Sequence, residues 1–453
     1  MRLHSTSALT AAIVVAALAG LVASSGPARA DWLQPDPSYR DAQLELRAAL
    51  RDTVGQGANP ARLDTLGVAL LRLGRFADAQ RIFARTAELR PGDEAAAAGL
   101  GKLALFHGRL AEAESLLTIG TAADPTAPLD LLAAHVRRGG YAVAAAMAES
   151  LGMTGRAEML RGMADAAPYA ISGDAEASLM FARNYPVALV RVKLNGQYVL
   201  MAVDPGAGDL VIDERAAKQA GVTLLPSETP VLWSGTRIAA RNAMVQRVEL
   251  GGIRVEHVPA GVVSLRRWSL EANPQGERLA GVIGLNLLRR FTPTLDYRNM
   301  RLELRPLGAS IASTPGAVRV PFELWGEHEL TVYGTIGGGR RMAMVIQASI
   351  PACGVAAPSE VFQELGIKPG MVSRMVKGAG RALQGRGWGA VTVSAVTVGP
   401  VVKDKLDGWS GAFDSAELWR HGVRRDVALG GDFFRDWRMT IDWDRQELIF
   451  ERP

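Results

Sequence analysis

The stretch that decides the fold runs from Tyr198 to Val222 and reads YVLMAVDPGAGDLVIDERAAKQAGV. An apolar run rises into Asp204 and breaks at a Pro205-Gly206-Ala207-Gly208 turn. A second apolar run, Leu210 to Ile212, follows, and a short helical pattern closes at Gly221. Ending an apolar strand on a carboxylate puts a charge where burial is costly. That makes Asp204 a candidate functional residue. The structural alternative is an Asp that only bonds the amides of its own turn, as many strand-to-turn Asp residues do.

Working outward, period-two alternation with Gly-punctuated turns begins near Met180. The strand Val187 to Gly196 leads into the Asp204 run. Val248 to Gly252, Gly281-Val282-Ile283-Gly284 and a closing RRFTPTLDYRNMRLELRP follow, ending at Pro306. The same order recurs downstream, in LTVYGTIGGGRRMAMVIQASI, Val396 to Pro400, Ala428-Leu429-Gly430 and DWRMTIDWDRQELIFERP. Gln347 follows Asp204 by 143 residues and Val396 follows Val248 by 148. Gly430 and Asp442 follow Gly284 and Asp296 by 146 each. Four landmarks in one order at nearly constant offset predict two homologous β lobes. Gly339 stands eight residues before Gln347, as Gly196 stands eight before Asp204, so Gln347 matches Asp204.

This order and spacing, from about Pro186 to the C-terminus, resembles the retropepsin and pepsin-like aspartyl proteases, and the bacterial secreted type in particular. The resemblance implies a bilobal β structure with a cleft between the lobes and one Asp-bearing loop from each. It also implies a pair of carboxylates that share one proton, one polarising the peptide carbonyl and the other activating water. The family writes each loop as Asp-Thr-Gly or Asp-Ser-Gly. Lobe one reads Asp204-Pro205-Gly206-Ala207, keeping the Asp and Gly but replacing the Thr that braces the opposite loop. Lobe two reads Gln347-Ala348-Ser349, so a neutral amide stands where the second Asp is expected. Asp204 is the one family-matched catalytic residue; Pro205, Gly206, Ala207, Gln347, Ala348 and Ser349 form the loops around it. Trp233-Ser234-Gly235 and Gly378-Ala379-Gly380 fall where the family places flap-like hairpins, and ordinary hairpin turns read equally well there. Asp209 and Asp213 are expected to face the short helix or solvent. Asp296 and Asp442 read as structural, and Glu360 sits on the helix after the second loop.

Before the β half, Leu66 to Pro91 and Leu100 to Pro125 repeat one another. Gly67, Gly74, Ala79 and Pro91 pair with Gly101, Gly108, Ala113 and Pro125, each at an offset of 34. That period, with small residues at helix crossings, resembles the tetratricopeptide repeat. A weaker third unit spans Leu129 to Gly152, its Gly140 only 32 residues after Gly108, and a short helix from Ala157 to Ala166 completes the stack. Such a stack serves either as a surface for a partner peptide or as a rigid spacer.

The N-terminus carries Arg2, an apolar stretch from Ala8 to Val22 and Ala28-Arg29-Ala30. This is the pattern of a secretory leader cleaved before Asp31, and it predicts a periplasmic or secreted protein with no membrane span after cleavage. The formal net charge of +5 is spread along the chain without basic runs, which argues against a nucleic-acid partner. One Cys and six scattered His offer no metal-ligand spacing, and no cofactor is expected. Cys353 reads as a small buried hydrophobe.

The sequence therefore predicts an α+β multidomain protein. A leader occupies residues 1–30 and an all-α helical-repeat segment 31–168. A bilobal all-β aspartic-protease-like domain follows, with lobes at 180–310 and 316–453. The expected function is an exported aspartyl-protease-family protein that holds an extended peptide, with impaired or absent peptidase activity: a pseudoenzyme of hydrolase descent. The alternative is a non-catalytic peptide-binding scaffold that uses the cleft and the repeats. An exchanged dimer pairing two Asp204 loops ranks last. If the leader is cleaved as read, protein recovered from its source cells begins at Asp31 by N-terminal sequencing. An intact Met1 in mature material would contradict export.

Overall fold

The computed structural model describes residues 38–53, 59–233, 236–274, 276–311, 314–370, 388–413 and 415–452. Residues 1–30, read above as a leader, and the Gly378-Ala379-Gly380 stretch lie outside the described residues. No helix among the described residues is long and apolar enough to cross a membrane. The chain divides into two compact units. One holds the helices up to Ala164 together with Leu324–Glu327 and Ser415–Arg424; the other holds Asp165–Glu323, His328–Asp414 and Arg425–Pro453.

In the helical unit, Tyr39–Thr53 precedes three helix pairs: Pro60–Arg72 with Phe76–Leu89, Glu94–Phe106 with Leu110–Gly120, and Ala127–Arg137 with Tyr141–Ser150. Thr154–Ala166 follows, starting three residues before the expected Ala157. Local chemistry sets the ends. Asn59 caps the first pair through Ala61 N–H (3.0 Å), with Pro60 at the first helical position. Gly74 and Gly108 turn each pair with φ of 70°. The repeat also sets the packing. Phe83 is fully buried between Gly67 and Gly99, where an added Cβ would lie 2.5 and 2.2 Å from its ring. Gly101 and Leu117 repeat the first of these contacts 34 residues on, at 2.8 Å. In the third pair the left-handed residue is Gly139 (φ 78°), not Gly140, whose φ of −77° leads into the next helix.

Two segments from the C-terminal half complete this unit. The ring of Trp325 stacks on Phe106 at 5.3 Å and meets Phe76 edge-on at 6.3 Å. Lys102, 1% exposed, pairs with Asp130 (2.9 Å) and Asp124 (3.4 Å) and donates to Thr126 and to the carbonyl of His421 (2.9 Å). Arg137 donates to the carbonyls of Leu105 (2.7 Å) and Leu324 (3.0 Å), and Arg72 lies 5.2 Å over the Trp419 ring. Arg72, Lys102, Phe106 and Arg137 lie on the first helices of their pairs and Phe76 opens a second helix, so the chain's own residues cover surface made by both.

In the other unit, strands begin at Ala170, earlier than the pattern near Met180 suggested: Ala170–Gly173 pairs with Ile253–Val263. A six-strand path runs Val318–Pro321, Glu447–Glu451, Arg438–Asp442, Phe291–Asp296, Arg301–Pro306, Ala177–Arg183. At its centre Phe291–Asp296 and Arg438–Asp442 pair antiparallel with Thr294 opposite Thr440, and the two hydroxyls bond at 2.8 Å. These threonines are 146 residues apart, the offset of the duplication, so the pseudo-two-fold axis of the lobes passes between them. The lobes also match strand by strand. Gln197–Val203 runs parallel to Gly281–Ile283, which runs antiparallel to Leu210–Asp213. Met342–Ile346 runs parallel to Val427–Leu429, which runs antiparallel to Val355–Ala357. Cys353 is fully buried in the second lobe's core with Ala356, Trp388 and Trp409.

Breaking the buried Lys102 pair by Lys102→Met is expected to cost about 3–5 kcal/mol, because Asp130 is left buried and uncompensated. Lys102→Met with Asp130→Leu should recover most of that loss in thermal or denaturant unfolding. Equal destabilisation by the single and double variants would contradict the charge-pair account.

Candidate functional site

The strand Gln197–Val203 carries Asp204 to its end, and Asp204 N–H donates to the Ile283 carbonyl at 3.0 Å. The strand Met342–Ile346 carries Gln347 to the same place in the second lobe, and Gln347 N–H donates to the Leu429 carbonyl at 2.8 Å. Ile283 faces Val203 and Leu429 faces Ile346 in the matching parallel pairs. By backbone register, then, Asp204 and Gln347 are equivalent residues.

The two loops touch. A Cβ on Gly206 would lie 1.8 Å from the Ile346 carbonyl oxygen and 2.8 Å from the Gln347 Cα, so only glycine permits this approach. Asp204 is 2% exposed. Its Oδ1 accepts from Gly206 N–H (2.8 Å) in its own loop and from Ala348 N–H (2.7 Å) in the other. Its Oδ2 accepts from the Ser349 hydroxyl at 2.5 Å. Pro205 and Ala348 are buried beside it, and Ala207 N–H closes the turn on the Asp204 carbonyl (3.2 Å). The inter-loop brace that the sequence reading took as lost with the Thr side chain is present in another form: the carboxylate bonds across by itself. Hydrogen bonds to a charged group are worth about 1.5–3 kcal/mol each.

Burial pushes the Asp204 carboxyl above its ordinary range, against the pull of the bonds from Ser349, Gly206 and Ala348. Gln347 is half-buried, and its carboxamide has no hydrogen-bond partner among the described residues.

Two neighbours carried little signal in the sequence. Trp268, buried on the helix Arg266–Ala272, donates its indole N–H to the Ser349 carbonyl (3.2 Å) and so holds the second loop from the first lobe. Tyr297 lies between Phe181 and Phe434; its buried hydroxyl has no partner among the described residues. Its pKa is pushed up by burial and by the nearby Asp204 charge. Only the Tyr in the closing LDY hinted at it.

The other acidic residues are occupied elsewhere. Asp209 accepts from Asn286 Nδ2 (2.7 Å). Asp213 caps the helix Glu214–Gln219, accepts from Leu265 N–H (2.9 Å) and pairs with Arg278 (2.7 Å). Asp296 and Asp442 tie their hairpin turns through Asn299 and Arg445. Glu360 is half-buried on the helix Ser359–Glu364. Thr223–Trp233 and Thr236–Leu250 form the hairpin proposed as a flap, with its tip, Ser234 and Gly235, outside the described residues.

Residues 190–287, from the first lobe's central strands to the short helix Leu285–Leu288, match the family model described as aspartyl protease. Residues 70–135 match the family model described as tetratricopeptide repeat. No curated protein matches the chain. The chain thus joins a helical-repeat segment to an aspartyl-protease-like domain, the type of domain found in hydrolases.

A carboxyl whose pKa is raised on folding contributes stability that is fully present below the unfolded value of about 3.9 and is lost as pH rises through the folded value. Asp204→Asn removes that loss. The melting temperature of Asp204→Asn minus that of wild type is therefore expected to increase from about pH 4 to pH 7. A difference that shrinks over this range would mean that burial does not dominate at Asp204.

Proposed function

We propose that the protein is an exported member of the aspartyl-protease family that binds an extended peptide between its two β lobes and has little or no peptidase activity. One observation carries this reading: the position equivalent to Asp204 by strand register holds Gln347. An amide donates hydrogen bonds but cannot take up or release a proton in the working range. A dyad reduced to one carboxyl has no like charge to split its titration and no second group with which to exchange roles. Loss of a general acid–base group typically costs about 10²–10⁴ in rate, and more where a pair acts as a unit. The protein donors on both Asp204 oxygens, which tie it to the two loops, support the same conclusion. Peptide binding by strand addition is the use the fold retains. The leader pattern supports a periplasmic or secreted location.

Helical repeats of this kind engage other proteins. Here the face made by the first helices together with Phe76 of a second helix holds Leu324–Glu327 and Ser415–Arg424. That favours a structural role for this face and directs any protein partner to the other surfaces of the repeats.

The test compares wild type with Asp204→Asn on a degenerate peptide library from about pH 3 to 7, spanning the ordinary carboxyl range. Neither is expected to cleave, while statine-type peptides bind weakly. Gln347→Asp alone should not fully restore cleavage. Gln347→Asp with Pro205→Thr, Ala348→Thr and Ser349→Gly rebuilds both loops and should gain it. Robust wild-type cleavage abolished by Asp204→Asn would overturn the impaired-site reading.

A further inference from the structure

The substitutions that remove the second carboxyl also bring a hydroxyl to the first. Ser349 Oγ donates to Asp204 Oδ2, and Asp204 is itself fixed by two backbone amides on its other oxygen. A hydroxyl bonded to a base that a third group orients is the arrangement of an activated nucleophile. The indole of Trp268 fixes the Ser349 backbone from the opposite lobe. Beside it, Gln347 carries an amide donor with no partner among the described residues. Burial raises the proton affinity of Asp204, the direction that favours a proton acceptor.

We infer that Ser349 is a nucleophile toward carboxylic esters, with Asp204 as its proton acceptor and the Gln347 carboxamide as the donor to the developing oxyanion. The Ser349 Oγ–C bond forms at the ester carbonyl as the hydroxyl proton passes to Asp204. The tetrahedral oxygen accepts a hydrogen bond from Gln347 Nε2. Collapse breaks the bond to the leaving alcohol, which carries off the proton from Asp204. Water then attacks the acyl-serine, gives a proton to Asp204, and Ser349 regains it as the carboxylic acid departs. Esters are the fitting class, because an alkoxide leaves with less protonation than the amine of a peptide. Trp268 is a positioning residue. This chemistry uses the loops of the proposed peptide site but does not depend on peptide binding.

The test treats the full chain with a biotinylated fluorophosphonate, maps the adduct by peptide mass spectrometry, and follows 4-nitrophenyl acetate hydrolysis in parallel. The expected result is an adduct on Ser349 and turnover of the ester, both abolished by Ser349→Ala. Asp204→Asn should slow labelling by about 100-fold or more, and Gln347→Ala by about 100-fold. Melting curves establish that each variant is folded; Gln347→Ala, at a side chain with no bonded partner, serves if Asp204→Asn is not. No adduct on Ser349 in wild type overturns the inference, as does labelling of folded Asp204→Asn or Gln347→Ala at the wild-type rate. Peptide binding is read separately by fluorescence polarisation. Peptide bound without Ser349 labelling sinks this inference and leaves the peptide site standing; labelling without peptide binding does the reverse.

Discussion

The Asp204 carboxylate accepts hydrogen bonds from both lobes of the β unit, from Gly206 in its own loop and from Ala348 and Ser349 in the other. Much of the local structure is arranged to allow this. Gly206 has no side chain because the Ile346 carbonyl occupies that space. Asp204 and Gln347 end central strands whose parallel neighbours are register-matched. Trp268 reaches from the first lobe's core to the carbonyl of the very residue whose hydroxyl reaches back. Three protein donors hold the carboxylate, and through them it joins the two loops.

The same economy appears in the helical unit. Trp325, His421 and Trp419 contact Phe106, Lys102 and Arg72 on first helices of the pairs, and Trp325 also meets Phe76 on a second. The buried Lys102 would carry a severe desolvation cost in isolation. Asp130, Asp124, Thr126 and the His421 carbonyl offset it, and the last of these comes from a residue 319 positions away.

What the sequence disclosed was what repeats. The offset of 34 found Gly67 and Gly101, though not Phe83 and Leu117, on which they pack. The offset near 146 found the lobe duplication, and the Thr294–Thr440 bond lies on its axis. A repeat is legible because the same physical constraint writes the same residue types twice. The hidden features are those where the two copies differ. Ser349 read only as part of the second loop, since nothing local says that its hydroxyl crosses to Asp204. Trp268 sits on a helix with no counterpart motif. Tyr297 has Trp443 at the matched place, and that indole bonds the Phe291 carbonyl instead. Leu324–Glu327 and Ser415–Arg424 read as ordinary parts of lobe two, because their partners are hundreds of residues away. The third repeat misled by one residue at its turn, Gly140 for Gly139, since either glycine satisfies the sequence and only the backbone dihedral separates them.

The claim on which the account rests is that Asp204 and Ser349 are energetically coupled across the lobes. A double-mutant cycle measures this directly: the unfolding free energies at pH 7 of wild type, Asp204→Asn, Ser349→Ala and the double variant. The account predicts a coupling of about 1–3 kcal/mol, the range for contacting residues in one hydrogen-bonded group. Additivity within about 0.3 kcal/mol would show that the hydroxyl and the carboxylate do not interact, and would contradict the account at its centre.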